Sequence, residues 1–319
     1  MPPADSQRAT PGGSNSYVGR FAPSPSGPLH FGSLLAAVAS YAEARTRGGQ
    51  WLLRIEDIDP PREQAGADRQ IIDALEAYGF EWDGPVTYQS AFTRHHEQLV
   101  DKLLADGRAY PCSCSRRDLA DARRGTLGAI YPGTCRDGCA SDDVAVRIRT
   151  TNEPIAFTDR LQGVIVQRLE SESGDFVIRR RDGLIAYHLA VVVDDFDQGI
   201  TEIVRGIDLL DSTPRHIWLQ RLLGFPTPAY LHIPVAVNAD GQKLSKLTGA
   251  PGIDTSVAGN VLHKAFEALR QSPPADLATA SPATQWQWAL EAWNATRLIS
   301  LTSIDTPEYG ALRPGNRIW

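Results

Sequence analysis

Four groups of residues in this chain have the types and spacing to do chemistry. The first is Arg20-Phe-Ala-Pro-Ser-Pro-Ser-Gly-Pro-Leu-His-Phe-Gly-Ser33. Pro23, Pro25, Gly27 and Pro28 forbid a regular helix there. His30 and Gly32 follow where a helical run begins. A His can donate to a phosphate oxygen, a Gly lets it approach, and backbone N–H groups at a helix start favour an anion. The plain alternative is an ordinary βα unit with a Pro-rich loop. The second group, Glu56, Asp57 and Asp59, closes the apolar run from Gln50, where carboxylates could meet a substrate ammonium; Asp57 or Asp59 could instead cap the next helix. The third is the set of four cysteines, Cys112, Cys114, Cys135 and Cys139, in a chain with no others. Two close thiols, a helical spacer and two more thiols can enclose a tetrahedral Zn²⁺, with reduced, unliganded thiols as the alternative. The fourth is Lys243-Leu-Ser-Lys246, two lysines in a Gly- and Ser-containing loop that could close on a triphosphate or form a solvated turn.

These groups need elements to hold them. Tyr17 to Phe21 reads as a strand, and Leu34, Leu35, Val38 and Tyr41 recur at helical spacing in a helix reaching about Arg45. Gln50 to Asp59 reads as a second strand, followed by helices at about 62–78 and 91–106. Residues 144–178 alternate as an antiparallel β insertion, and Arg179 to Gly183 form a tight turn. Leu184 to Val193 is a near-continuous apolar run of buried parallel-strand type, closed by Asp194 and Asp195. Ile200 to Gly206 is a further strand ending in Arg205, with a helix at about 214–223. A helix at 261–269 and a segment with Trp286, Trp288 and Trp293 follow, the tryptophans expected to pack rather than bind. Residues 1–16 read as a disordered tail. Arg116, Arg117, Arg123 and Arg124 give the cysteine segment a basic face, either solvated or turned to RNA.

Composition narrows the class. With 319 residues, 42% hydrophobic and 22% charged, the chain can form two domains or one with an insertion. No apolar run is long enough to span a bilayer, and no basic-then-apolar signal opens the sequence, so a cytoplasmic protein without membrane contact is expected. A net charge of −6 means that any polyanionic partner must meet a local basic surface.

Arg20-Phe-Ala-Pro-Ser, Leu29-His-Phe-Gly, Arg54-Ile-Glu-Asp-Ile-Asp59, Tyr187-His-Leu-Ala-Val-Val-Val-Asp-Asp195, Val204-Arg-Gly-Ile-Asp208 and Lys243-Leu-Ser-Lys246 together resemble the glutamyl class I aminoacyl-tRNA synthetases. The order and spacing of these motifs, over 17–247, make the resemblance specific. More narrowly, the chain resembles the truncated branch of that family, which acts on queuosine in tRNA(Asp). Ser33 replaces the second His of a His-x-Gly-His signature, the cysteine segment carries Cys112-x-Cys114 and Tyr131-Pro-Gly-Thr-Cys135, and too few residues follow Lys243 for large anticodon-binding domains.

The resemblance implies a Rossmann-like parallel sheet in two halves, residues 17–110 and 184–236, split by a zinc-bearing α+β insertion at 111–183 and followed by a mostly helical piece at 237–319. It implies ATP-dependent activation of L-glutamate, with Mg²⁺, and transfer to queuosine at the wobble position of tRNA(Asp), by a monomer. Charging of a tRNA 3′ end and a non-catalytic RNA-binding relic are the alternatives. Arg20, Phe21, Ala22, Pro23, Ser24, Glu56, Tyr187 and Arg205 would line the glutamate site, with Glu56 on the α-ammonium and the two arginines on the carboxylates. His30, Gly32, Ser33, Lys243, Ser245 and Lys246 would hold ATP, with His30, Lys243 and Lys246 acting in catalysis. Ser33 leaves one phosphate donor weaker or supplied from elsewhere. One structural zinc would be held by Cys112, Cys114, Tyr131 and Cys135. Cys139 is the softer rival for the fourth position, four residues beyond Cys135.

Overall fold

A computed structural model describes residues 16–139, 141–244 and 251–306. Ser245 and Lys246, and all but the last residue of the expected N-terminal tail, lie outside the described residues. The first half supplies β1 (Val18–Phe21), α1 (Phe31–Arg45), β2 (Gln50–Ile55), α2 (Ala67–Ala77), β3 (Thr87–Tyr88) and α3 (Thr93–Ala105). An inserted region follows with β4 (Ala109–Cys112), β5 (Arg124–Gly125), β6 (Gly128–Ala129), β7 (Ala145–Ile148), β8 (Pro154–Asp159), β9 (Gly163–Arg168), α4 (Leu169–Glu172) and β10 (Val177–Arg179). The chain then forms α5 (Tyr187–Asp197), β11 (Glu202–Gly206), α6 (Thr213–Leu223), β12 (Ala229–Ile233) and β13 (Val235–Val237). It ends, as described, with α7 (Ala258–Ala268), α8 (Pro282–Ala292) and β14 (Ser303–Asp305).

β1, β2 and β3 pair in parallel, with Val18 opposite Gln50 and Arg54 opposite Thr87. β11, β12 and β8 also pair in parallel. β11 lies beside β1, where Thr201 N donates to Val18 O at 2.9 Å. The strand order therefore reverses between β1 and β11, the place where an open α/β sheet leaves a crevice beyond its strand ends. One face of the sheet is covered by α1, α7 and α8. The other is covered by α3, α5 and α6. Trp286 of α8 ties the C-terminal region to the first half: its ring packs edge-on against Tyr41 at 4.6 Å, and its Nε1 donates to Tyr78 O at 2.9 Å. Trp288 and Trp293 pack half-buried against the same core, as expected for tryptophans that do not bind ligand.

Several sequence expectations are corrected. The run Leu184 to Val193 is not a strand; from Tyr187 it is helix α5. Leu189 to Asp195 are all buried, packed by α3, α6 and β10 and tied at Asp195 to Arg20 of β1 and Arg54 of β2. Its middle, Leu189 to Val193, is apolar on every side and has no polar stripe to reveal a helical period. The spacer between Cys114 and Tyr131 is a series of turns and the short β5–β6 ribbon, so Arg116, Arg117, Arg123 and Arg124 share no helix face. The helix expected from Arg62 begins at Ala67, after a single 3₁₀ turn at Pro60–Arg62. Neither Asp57 nor Asp59 caps it. The antiparallel insertion divides in two: β4, β7 and β10 form their own sheet, while the β8–β9 hairpin extends the main one. The C-terminal piece is helical but returns β14 to pair in parallel with β13.

Candidate active site

The crevice at the sheet reversal is a cavity of about 460 Å³. β1 ends in it with Arg20 and Phe21, and the Pro-rich turn continues its wall with Ala22, Pro23 and Ser24. Glu56 arrives from the end of β2, Tyr187 from the first turn of α5, and Arg205 from the end of β11. His30, Gly32 and Ser33 at the start of α1, and Lys243 from the loop after β13, line the same cavity. Every described residue expected to meet glutamate or ATP thus faces one space.

The charges around it are unequally matched. Arg54 is wholly buried, and its Nη2 donates to Asp195 Oδ1 at 2.7 Å and to Glu56 Oε1 at 3.4 Å. Arg20 Nε reaches the same Asp195 oxygen at 3.0 Å. Asp194, one residue earlier, accepts from Gln89 Nε2 and from His96 Nε2, each at 2.6 Å. Burial alone would raise the Asp195 carboxyl, but Arg20 and Arg54 outweigh it and hold it below its ordinary value. Glu56 has no such close pairing. Burial pushes its carboxyl up to about 7, against the pull of Arg54 and Arg20. Glu56, Asp194 and Asp195 formally outnumber Arg20 and Arg54, so an added cation beside Glu56 is electrostatically favoured.

Arg205 presents the opposite case. It is 5% exposed, and among the described residues no carboxylate lies within ion-pair distance of it. Its guanidinium donates only to neutral acceptors: His232 Nε2 at 3.0 Å, Thr213 Oγ1 at 2.8 Å, Leu209 O at 3.2 Å and His216 Nδ1 at 3.3 Å. Burial and the neighbouring Arg205 drive the His216 imidazole well below its usual pKa, which keeps it an acceptor. A buried cation without a counter-ion is costly unless an anion completes it. Nearby, burial raises the Tyr187 phenol to about 12, so it remains protonated and able to donate.

The residues expected to meet the phosphates are preassembled. His30 is the N-cap of α1, its Nδ1 accepting from Ser33 N at 3.2 Å. Ser33 Oγ sits 3.1 Å from His30 Nε2, so the residue in place of a second His bears on the first. A Cβ on Gly32 would stand 3.3 Å from both the His30 ring and Leu244 O, which keeps this position small. Lys243 Nζ donates to Asp208 Oδ2 at 2.7 Å. Asp57 instead binds Ser90, and Asp59 binds Arg62 and Arg180, so Glu56 alone of that acidic run lines the cavity. Sequence reasoning missed Arg54, Asp159, His216 and His232. Arg54 left a trace: an arginine inside the apolar strand Gln50–Ile55.

The cysteine segment forms a second constellation. Cys112, Cys114 and Cys135 bring their Sγ atoms within 4.8 Å of one another. The Tyr131 hydroxyl lies 3.3 Å from Cys112 Sγ and 3.6 Å from Cys114 Sγ, and Cys114 Sγ is 3.6 Å from Cys135 Sγ. A tetrahedral ion with zinc–sulfur bonds of about 2.3 Å holds its thiolates about 3.8 Å apart, so the donors fit such an ion. Cys139 stands apart, its thiol turned to Pro111 O at 3.6 Å and Ser141 O at 3.8 Å. Gly174 lets the backbone close on this cluster: its φ is +69°, and a Cβ there would lie 2.4 Å from Tyr131 N.

Among the described residues no helix is long and apolar enough to cross a membrane. Residues 17–257 match the family model of the tRNA synthetases class I (E and Q), catalytic domain. The glutamyl-Q tRNA(Asp) synthetase of Pseudomonas paraeruginosa is 54% identical over 285 residues, covering 89% of this chain and 96% of that protein. That of Dechloromonas aromatica is 52% identical over 282 residues, covering 87% and 94%. Among solved structures, a glutamate tRNA ligase from Elizabethkingia meningosepticum shares the fold, with a TM-score of 0.74 at 22% identity over 93% of this chain and 68% of that one. The chain is therefore a ligase that belongs to the class I tRNA synthetases (E and Q) and, within them, to the glutamyl-Q tRNA(Asp) synthetases.

Proposed function

We propose that this protein activates L-glutamate with ATP and transfers it to queuosine at the wobble position of tRNA(Asp). The observation that carries the glutamate reading is the pairing of a cavity rich in carboxylate at Glu56 with a buried, uncompensated Arg205. An α-amino acid bearing a second carboxylate supplies both missing charges. Glu56 takes the α-ammonium, Arg205 takes a carboxylate, and Tyr187 donates to the same ligand. Arg20, already bound to Asp195, completes the anionic side with its remaining donors. An α-carboxylate oxygen of glutamate then attacks the α-phosphorus of ATP, and pyrophosphate leaves. Little acid–base work is required, so positioning and charge neutralisation dominate. His30, Gly32, Ser33, Lys243 and the neighbouring Ser245 and Lys246 hold the phosphates, with Mg²⁺ as their counter-ion. In the second step a queuosine hydroxyl attacks the glutamyl carbonyl and AMP departs. Cys112, Cys114, Tyr131 and Cys135 would hold one zinc ion that fixes the inserted region and takes no part in the chemistry.

The queuosine assignment rests on the names of the relatives at about half identity over nearly their full length. The test is in two parts. The protein should catalyse glutamate-dependent ATP–pyrophosphate exchange without tRNA. Labelled glutamate should remain on tRNA(Asp) only when queuosine is present, and equal labelling of queuosine-free tRNA(Glu) would establish 3′ charging instead.

A further inference from the structure

Arg205 enters the cavity from β11; Thr213 and His216 of α6 meet its Nη atoms, and two neighbouring strands fix its Nε from behind. In register, Arg205 stands beside His232 of β12, and β12 in turn flanks the end of β8, where Asp159 sits. Arg205 Nε donates to His232 Nε2 at 3.0 Å. An imidazole nitrogen accepts only when it carries no proton, so the His232 proton must be on Nδ1. Asp159 enforces that tautomer: its Oδ2 lies 2.7 Å from His232 Nδ1, with both side chains wholly buried. Asp159 itself cannot turn away. It accepts from the backbone N–H groups of Leu161 at 3.0 Å, Gln162 at 2.9 Å and His232 at 3.1 Å. Burial and Arg205, opposed by Asp159, lower the imidazole to about pKa 4, so it is neutral at neutral pH.

We propose that Asp159 and His232 form a positioning pair, which aims the Arg205 guanidinium into the cavity and thereby sets the affinity for the carboxylate-bearing amino acid. This rests on the reading of Arg205 as a carboxylate contact. The pair touches no substrate. Its removal moves binding of one ligand and leaves the rest of the reaction alone.

Asp159→Asn is the discriminating change. Its amide can donate to His232 Nδ1, which forces the ring proton onto Nε2 and sets it against the Arg205 donors. In ATP–pyrophosphate exchange the KM for glutamate should rise about 10- to 100-fold, the range spanned by one hydrogen bond to a charged group. The KM for ATP, and the exchange rate at saturating glutamate, should stay near those of the parent. Because Asp159 also caps Leu161 and Gln162, a second series guards against misfolding: His232→Leu removes the acceptor, and His232→Gln restores one. Glutamate KM should rise more in the Leu variant than in the Gln variant, with both melting cooperatively. Parental glutamate KM values in folded Asp159→Asn and His232→Leu proteins, beside an impaired Arg205→Lys, would overturn the positioning role alone. Parental values in all three would reject Arg205 as the carboxylate contact, and the pair with it.

Discussion

Arg20 Nε lies 3.0 Å from Asp195 Oδ1, and Arg20 Nη2 lies 3.3 Å from Asp195 Oδ2, so one full edge of that guanidinium is committed inside the protein. Arg205, across the same cavity, has no such partner among the described residues. The two arginines that the family resemblance treats alike are therefore physically different: one is largely neutralised, and the other retains an uncompensated charge. Arg205 should be the stronger anchor for a carboxylate.

Removing the Asp195 charge should cost the fold as well as the site. Asp195→Asn leaves Arg20 and Arg54 buried with less negative charge than they need, and breaking a buried pair in this way typically destabilises by about 3–5 kcal/mol. Urea denaturation should register that loss as a lower midpoint. A midpoint equal to that of the parent would mean that the Arg20–Asp195–Arg54 cluster contributes nothing net.

Glutamate binding should weaken in mild acid. Glu56 has a pKa raised to about 7, and only its ionised form attracts an ammonium. Below about pH 7 the KM for glutamate should climb by up to tenfold per pH unit. The stability contribution runs the other way: a carboxyl raised above its unfolded value favours the folded state when protonated, so that share declines as pH rises from the unfolded value towards 7. Exchange kinetics from pH 5.5 to 8, with Glu56→Gln as reference, check this. A variant that keeps the parental pH profile would remove Glu56 from the explanation.

Metal content should follow the hydroxyl of Tyr131 rather than the thiol of Cys139. Tyr131→Phe should lower bound zinc and the melting temperature, whereas Cys139→Ser should leave both unchanged, because Cys139 faces Pro111 and Ser141. Elemental analysis of the purified variants decides between them. Zinc lost only from Cys139→Ser would reassign the fourth ligand. Chelation of the parent protein should lower its melting temperature in the same way as Tyr131→Phe.

Trp286→Ala should destabilise the protein by about 3–5 kcal/mol, the cost of emptying a large aromatic site. The ring is buried against Tyr41, Phe80 and Phe266, away from the cavity. The KM values for glutamate and ATP, measured well below the melting temperature, should therefore remain parental. A selective rise in either would show that the C-terminal helices reach the site.

The stretch from Tyr17 to Arg45 was legible from the sequence because its signals are local: prolines that exclude helix, and apolar residues at helical spacing from Leu34 onward. The same holds for β11 with its terminal Arg205 and for α6, and it explains why His30 and Glu56 stand out in the sequence alone, whereas Arg20 is marked by the family resemblance. Helix α5 reads as a strand because its stretch Leu189–Asp195 is buried on every side, and that burial is a property of the packed layers. The relationships that give those residues their character are longer still. Arg20 and Asp195 are 175 positions apart, and Asp159 and His232 are 73 apart. The chain by itself determined which charged groups sit at the ends of its strands. Only the register of β8, β12 and β11, and the docking of α5 against β1 and β2, decided which of those charges would be neutralised and which left for a ligand. Between strands far apart in the chain no turn fixes the register, so it is set by which faces are buried together in the packed fold.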